Sequence, residues 1–244
     1  MKLITPTIPL ELDLEISKGN IPNNSGVNKF GFNGAVGTTF ETVWSEGGLY
    51  TYLTSATTLS IVSSSAEDDP LATGAHTVEI EGLDSSYNVL KETITMDGTT
   101  TVTSTGSFLR VYRAKVLTAG STGKAQGKIT VSSGGNTLAA IDSNYDNQSL
   151  MSFYTVPAGY TAYISKVIFS AGKGKETFCS LNICGEGAVF NIKHSVQIRE
   201  GVSTREFSPY LKVEEKGDIE CRAMNLNSGT VEVSCEFDII LVKN

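Results

Sequence analysis

The chain has 244 residues, of which 40% are hydrophobic and 18% are charged, and its formal net charge is −7. The excess of carboxylates argues against a nucleic-acid-binding surface, which requires clustered Lys and Arg to displace counterions from phosphates. Abundant Gly, Ser and Thr, without sustained apolar spacing at i, i+3, i+4 and i+7, predict an all-β protein of one large or two small domains.

Residues 1–48 are predicted to form an extended N-terminal arm. The segment LELDLEI places Leu10, Leu12, Leu14 and Ile16 on one face of a half-buried strand, with acidic residues on the other face. Burial of four aliphatic side chains contributes about 6–12 kcal/mol, whereas fixing seven backbones costs about 7–14 kcal/mol. This strand therefore requires the edge of an existing sheet, in its own chain or in a neighbour.

The second half of the arm, NKFGFNGAVGTTFETVW, combines large aromatic rings with a glycine-rich backbone. Such rings are unfavourable in water, but a glycine-rich segment can follow a second surface while each ring fills a pocket. Two interpretations follow: the rings are clamped between subunits or onto a shell, or they pack beneath the chain's own β-domain. The first predicts an interface of apolar residues: Leu10, Leu12, Leu14, Ile16, Phe30, Phe32, Phe40 and Trp44.

Two β-sandwich domains are predicted after the arm, over residues 49–142 and 143–244. In the first, HTVEIEGLDSSYNVLKETITMDG is typical of two strands joined by a polar turn. In the second, TVEVSCEFDIILV alternates apolar and polar residues and is the clearest strand in the chain. About seven strands within the second domain indicate a jelly-roll-like sandwich.

The four cysteines, Cys179, Cys184, Cys221 and Cys235, lie in the second domain. They lack CxxC spacing and complete no zinc pattern with the two histidines. Three of them alternate with apolar residues and should face a core as reduced thiols, with a disulfide in an oxidising medium as the alternative.

We expect no catalytic, cofactor or metal site and therefore no enzyme. His76 and His194 are the only histidines, and neither accompanies a GxSxG motif that would supply a nucleophile. The carboxylate cluster Glu67, Asp68 and Asp69 is interpreted as a solvated loop, with a calcium site as the alternative. Glycine-rich segments such as GSTGKAQG lack phosphate-loop spacing and are interpreted as turns.

The N-terminal segment GNIPNNSGVNKFGFNGAVGTTFETVWSEGGLY resembles a segment found near the N-terminus of structural proteins of tailed bacteriophages, notably marine and cyanobacterial ones. This chain carries the pattern as Gly19–Pro22, Lys29–Asn33, Phe40–Trp44 and the glycine pair Gly47–Gly48. The likeness continues through SFLRVYRAKVLTAG, YTVPAGYTAYI and the closing FDIILVKN. It spans most of the chain and departs from the pattern mainly at residues 171–225.

The resemblance implies a non-enzymatic virion structural protein that is assembled in the host cytoplasm. The favoured role is a head decoration or cement protein, oligomeric and for example trimeric, bound to the major capsid protein or other virion proteins. The alternative is a head-fibre or tail-associated adaptor for host recognition, with a carbohydrate-binding β-sandwich whose candidates for stacking on sugars are Tyr145, Tyr160 and Tyr163. No membrane partner is expected, because no signal-peptide pattern or run of about 18 apolar residues occurs.

Overall fold

The computed structural model describes residues 11–144 and 147–244, and within these residues it confirms an all-β chain. No helix in the described part is long and apolar enough to cross a membrane. In chain order the elements are α1 Leu12–Ser17, β1 Asn24–Val36, β2 Glu41–Thr42, β3 Ser60–Ser63, β4 Ala75–Leu83, β5 Val89–Thr95, β6 Val102–Thr103, β7 Arg110–Ala119, β8 Ile129–Ser133, β9 Asn136–Ile141, β10 Phe153–Thr155, β11 Tyr160–Ala171, β12 Thr177–Cys184, β13 Asn191–Ile198, β14 Gly201–Val213, β15 Asp218–Asn225 and β16 Val231–Lys243.

Two sheets face each other and form what we call the double sheet. Sheet A has the order β1-β16-β11-β14, and sheet B has the order β10-β15-β12-β13, with the short β2 paired to β15. Along β16, every second residue from Val231 to Leu241 is buried, as its alternating sequence predicts. Cys235 Sγ of sheet A lies 2.6 Å from Cys221 Sγ of sheet B, so the two inner faces are in direct contact. The prediction that Cys179, Cys221 and Cys235 face a core is confirmed, since all three are buried.

A second pair of sheets is inserted into the chain between β2 and β10. Sheet C has the order β6-β3-β8-β9 and sheet D the order β5-β4-β7. We call residues 60–141, which build both sheets, the inserted unit. The predicted β4–β5 hairpin is confirmed, with Val78 opposite Ile94 in an antiparallel register. The apolar core is continuous through the inserted unit and the double sheet.

The prediction of an extended arm is wrong for residues 24–36, which belong to the double sheet. Residues 24–36 form β1, which pairs with β16 from Asn24 opposite Val242 to Val36 opposite Val231. The inward positions of this strand hold Lys29, Gly31 and Asn33, all buried, so the usual apolar alternation is absent. Because polar and glycine residues occupy these inward positions, the sequence pattern does not predict that β1 is a strand of the double sheet.

The strand predicted for LELDLEI is also wrong for its described residues, because Leu12–Ser17 form the helix α1. Leucine and glutamate are good helix formers, and four apolar positions at a spacing of two do not outweigh that preference. Gly19, with φ +75°, ends the helix: its N–H donates to Ile16 O at 2.9 Å, and Asn20 N–H donates to Glu15 O at 2.9 Å. Of the predicted inward face, Ile16 alone is buried within α1. Leu10 lies outside the described residues.

Candidate functional site

The aromatic and glycine-rich stretch that follows α1 is held in a fixed conformation by one carboxylate. Glu41 Oε2 accepts hydrogen bonds from Asn33 Nδ2 and from the Gly48 N–H, each at 3.0 Å. Its Oε1 accepts from the Gly37 N–H at 2.7 Å. Charge-assisted hydrogen bonds of this kind are about twice as strong as neutral ones. The hydrogen bonds of Glu41 therefore fix the ends of this stretch, Asn33 and Gly48, against its middle.

Two inward-facing residues of β1 attach the strand to its surroundings. A Cβ on Gly31 would collide with the Val43 carbonyl oxygen and the Ser152 amide nitrogen, so glycine permits a backbone contact that other residues exclude. Lys29 Nζ donates to the Tyr112 carbonyl oxygen and lies 5.6 Å from the centroid of the Tyr112 ring. Burial lowers the pKa of Lys29 well below its usual value, and the nearby Arg113 lowers it further.

Trp44 is buried in its own chain. Its Nε1–H donates to Gly47 O at 2.8 Å, and its ring meets Tyr50 edge-on with centroids 5.2 Å apart. This placement corresponds to the alternative interpretation, in which the rings pack beneath the chain's own β-sheets.

The other three rings lie nearer the surface. Phe30 and Phe32 point to the outer face of sheet A, opposite Glu236 and Ser234, and both are half-buried. Phe40 is 36% exposed and meets the edge of Phe178 with centroids 5.7 Å apart. Contact of these rings with another subunit stays a prediction.

Helix α1 presents an exposed leucine pair. Ile16 is 5% exposed, whereas Leu12 and Leu14 are 49% and 46% exposed. A 380 Å³ cavity between the helix and sheet A is lined by Ile16, Val27 and Ile240, among other residues. The helix thus rests on the sheet through one residue and directs its leucine pair to solvent.

A buried ion pair joins the inserted unit to the double sheet. Arg110 of β7 donates to Asp218 of β15 from Nε at 3.1 Å and from Nη2 at 3.2 Å, in the fork geometry that guanidinium and carboxylate favour. Both side chains are about one-tenth exposed. Thr155 Oγ1 also donates to Asp218. Arg110 Nη1 donates to the Leu53 carbonyl oxygen at 3.0 Å, so both members of the ion pair have a further hydrogen-bond partner.

A second carboxylate, Glu220, is fully buried beside this ion pair. It accepts hydrogen bonds from Thr42 Oγ1 at 2.5 Å, from Tyr52 Oη at 3.1 Å and from Arg222 Nε at 2.8 Å. Burial, together with the charge of Glu220, raises the pKa of Tyr52 well above its usual value. We call the Arg110–Asp218 pair and the Glu220 cluster the buried junction.

His76 and Asp68, two of the residues considered for acid–base or metal chemistry, have structural partners. His76 Nε2 lies 3.0 Å from Ala72 O. Asp68 is fully buried and accepts hydrogen bonds from Ser63 Oγ and from the N–H groups of Ala75 and Gly127, so the prediction that it lies in a solvated loop is wrong. Because its backbone and hydroxyl donors come from several loops, Asp68 holds those loops together. Within residues 11–144 and 147–244, no cluster of three or more His, Cys, Asp or Glu side chains could hold a metal ion.

A cleft of 480 Å³ opens between β13 and β14, and sequence reasoning did not identify it. Its lining includes Lys193 and His194 on β13 and Arg205, Phe207 and Tyr210 on β14. The His194 and Phe207 ring centroids are 6.1 Å apart, and the Arg205 guanidinium lies 5.8 Å from the Phe207 centroid. The sequence signal that could have identified the cleft is the occurrence of basic and aromatic side chains in two segments, IKHSV and TREFSPY, on consecutive strands.

Neither a comparison with protein-family models nor a search of curated protein sequences finds a match to this chain. Among solved structures, the chain is similar to a chain in the structure of infectious bursal disease virus, Gx strain. The identity is 10% and the TM-score 0.24, covering 91% of this chain and 71% of that one. A crystal structure of an infectious bursal disease virus VP2 subviral particle gives 8% identity and a TM-score of 0.22, covering 91% and 76%. These TM-scores are too low to support an argument.

Proposed function

We propose that this chain is a non-enzymatic structural protein of a tailed-bacteriophage virion, built on a jelly roll. The observation that carries the proposal is the strand order of the double sheet. Counted along the chain, its eight main strands lie as first-eighth-third-sixth in sheet A and second-seventh-fourth-fifth in sheet B. The same order is found in jelly rolls, which recur in viral capsid and lectin domains, and this agreement supports the proposal.

Because a fold alone does not specify a function, the surface of the chain must also suit the proposed role. The segment that resembles phage structural proteins forms the edge strand β1 and the loop fixed by Glu41. The residues before this segment form α1, whose leucine pair is half exposed. An apolar pair held on a short helix at the edge of a rigid sheet is suited to docking on a neighbouring subunit.

The specific role that we propose is a head decoration or cement protein that assembles as an oligomer with the major capsid protein or other virion proteins. Of the predicted interface residues, Ile16 and Trp44 are buried within the chain, and Leu12, Leu14 and Phe40 are exposed. Phe30 and Phe32 are half-buried and Leu10 lies outside the described residues, so the exposed residues are the strongest candidates. Complete burial of one leucine contributes about 1.5–3 kcal/mol. Repeated over many copies, this burial would raise the free energy required to rupture a shell pressurised by packed DNA.

We propose a role without catalysis because the buried carboxylates are engaged in structural hydrogen bonds. Asp68 organises loops, Asp218 compensates Arg110, and Glu220 is held by three side chains. A general acid or base must instead be free to reach the proton that it transfers.

The test is binding of the purified chain to capsids prepared from the virus that encodes it and stripped of this protein. A Leu12→Ala/Leu14→Ala double variant should bind at least about tenfold more weakly, because both apolar anchors are lost. The matched control is Leu71→Ala/Leu117→Ala, which changes two leucines of the inserted unit that are 98% and 45% exposed.

Binding would be measured by co-sedimentation across a concentration series. Equal binding by the double variant and the wild-type chain would rule out the α1 leucine pair as the attachment surface. Absence of wild-type binding would rule out the decoration role itself. Deletion of residues 1–45 is not a suitable test because it also removes β1 from the double sheet.

A second candidate function is a head fibre or tail-associated adaptor with a carbohydrate-binding β-sandwich. The observation that favours it is the cleft between β13 and β14, where cationic and aromatic side chains meet. Copy number separates the two functions, since hundreds of copies per particle indicate a head lattice and about a dozen or fewer indicate the tail or portal region. Quantitative mass spectrometry of purified particles measures this number.

A further inference from the structure

The cleft between β13 and β14 lies where both sheets of the double sheet end. Strand β13 is the last strand of sheet B and β14 is the last strand of sheet A. The two strands follow each other in the chain but form no ladder with each other in the described sheets. The space between the two sheets is therefore open at this edge, and it forms the 480 Å³ cleft.

An irregularity in β14 shapes one wall of the cleft. The register with β11 passes from Glu206 opposite Lys166 directly to Leu211 opposite Ile164. The four residues 207–210 thus oppose the single residue Ser165, and the strand bulges outward. Bulges of this type redirect side chains near binding sites. Here Phe207 points inward and is 7% exposed, whereas Tyr210 is 43% exposed at the rim.

The charged side chains that line the cleft are all basic, although the chain as a whole carries a net charge of −7. No carboxylate among the described residues forms an ion pair with Lys193 or Arg205. By contrast, Lys212 on the same strand as Arg205 is paired with Glu214 at 2.7 Å. Unpaired cations that converge on a concave surface attract an anion.

His194 supplies a third polar group. Its Nε2 is buried and has no hydrogen-bond partner within the described part of the chain. A buried polar atom without a partner is destabilising, so a ligand atom that reaches Nε2 would gain a hydrogen bond. Burial and the nearby Arg205 lower the pKa of His194, in agreement with a site that holds excess positive charge when empty.

We propose that this cleft binds an acidic saccharide through the carboxylate of a uronic acid residue. The carboxylate accepts hydrogen bonds from Arg205 and Lys193, while the apolar face of the sugar ring packs on Tyr210 at the rim. The cleft volume falls within the range of about 300–1,000 Å³ that is typical of small-ligand sites. An acidic peptide would meet the same cations, but its Asp and Glu side chains have no apolar ring face that could pack on Tyr210.

The test uses isothermal titration calorimetry of the full chain at low ionic strength, with tetramers of galacturonate, glucuronate and mannuronate. The matched probe is the methyl-esterified form of each tetramer, in which the carboxylate charge is removed. At least one acidic tetramer should bind with saturation, and its methyl ester should bind at least about tenfold more weakly. An Arg205→Gln variant should show a similar loss, whereas a Lys212→Gln variant should bind as the wild-type chain does.

Three results would overturn the proposal: no acidic tetramer binds, the esters bind equally well, or Arg205→Gln binds like the wild-type chain. An oligoglutamate peptide is titrated in parallel. If it binds as tightly as the best tetramer and loses affinity in Arg205→Gln, the cleft is a docking site for a protein and the saccharide assignment is wrong. Because Arg205 has no carboxylate partner to leave unpaired, the variant should remain folded, which circular dichroism checks.

Discussion

The buried junction and the cleft between β13 and β14 differ in whether their charged side chains are buried and have partners within the chain. In the junction, Arg110, Asp218 and Glu220 are almost completely buried, and each has partners on several elements. In the cleft, Lys193 and Arg205 are open to solvent and have no carboxylate partner among the described residues. A charge that is removed from water must be compensated by the protein, whereas an exposed charge is free to meet a ligand.

The contrast separates structural polar groups from candidate functional ones. The junction contains more ionisable groups than the cleft, yet all of its carboxylates have hydrogen-bond donors from the protein. The cleft has fewer groups, but its cations and the Nε2 of His194 lack partners in the described chain. Unsatisfied polar groups in a concave site therefore point to function more directly than buried charge does.

The largest expected effect comes from breaking the buried ion pair. Asp218→Ala should lower the free energy of unfolding by about 3–5 kcal/mol, because it leaves the Arg110 guanidinium buried without its carboxylate. Arg205→Gln in the cleft should change it by less than about 0.5 kcal/mol. Urea unfolding followed by fluorescence measures both values. Similar losses in the two variants would contradict the contrast between junction and cleft.

An intermediate effect on the free energy of unfolding is expected at Gly31, which allows close contact between the backbone of β1 and its neighbours. Gly31→Ala should cost about 1–3 kcal/mol, because the new methyl group collides with the backbone of Val43 and Ser152. Gly26→Ala in the same strand is the matched control, since open space surrounds its position. The same urea experiment should show Gly26→Ala close to wild type. A neutral Gly31→Ala would mean that the backbone contact at β1 is looser than described.

A third effect on stability is a pH dependence that originates at Lys29. Because burial lowers the pKa of Lys29 in the folded state, the unfolded chain binds more protons between that pKa and about 10.4, the ordinary value. The stability of the wild-type chain should therefore rise with pH in this window relative to Lys29→Met. The difference in slope is at most about 1.4 kcal/mol per pH unit.

Urea unfolding at intervals from neutral pH to about pH 9.5, before ordinary tyrosines ionise, measures this slope. A difference between wild type and Lys29→Met that stays constant over this range would show that the ammonium group is not buried. A difference that falls with rising pH would have the wrong sign for a lysine whose pKa is lowered.

Local patterns in the sequence were sufficient where each inward residue is apolar. The strand β16 and the β4–β5 hairpin were predicted because their alternation is regular, and Cys221 and Cys235 were placed in the core for the same reason. The strand β1 was missed because Lys29 and Gly31 occupy inward positions. Their roles depend on Tyr112 and Val43, which no local pattern connects to them.

The candidate site was less accessible to sequence reasoning than the fold. Tyr160 and Tyr163, considered for sugar stacking, lie on β11 and are half-buried, and Tyr145 lies outside the described residues. The cleft depends on His194 and Arg205, which are brought together because their strands are the outermost members of two different sheets. A bulge and the order of strands decide this proximity, and neither follows from local residue spacing.

The pairing of β1 with β16 also sets the order in which the chain can complete its structure during synthesis. Among the described strands, β1 emerges from the ribosome first and its partner β16 emerges last. The ladders of sheets C and D form within the inserted unit, so they can be completed before β16 is made. Closure of sheet A thus joins residues of very large sequence separation, and we expect it to be a late step of folding because a long loop must be closed first.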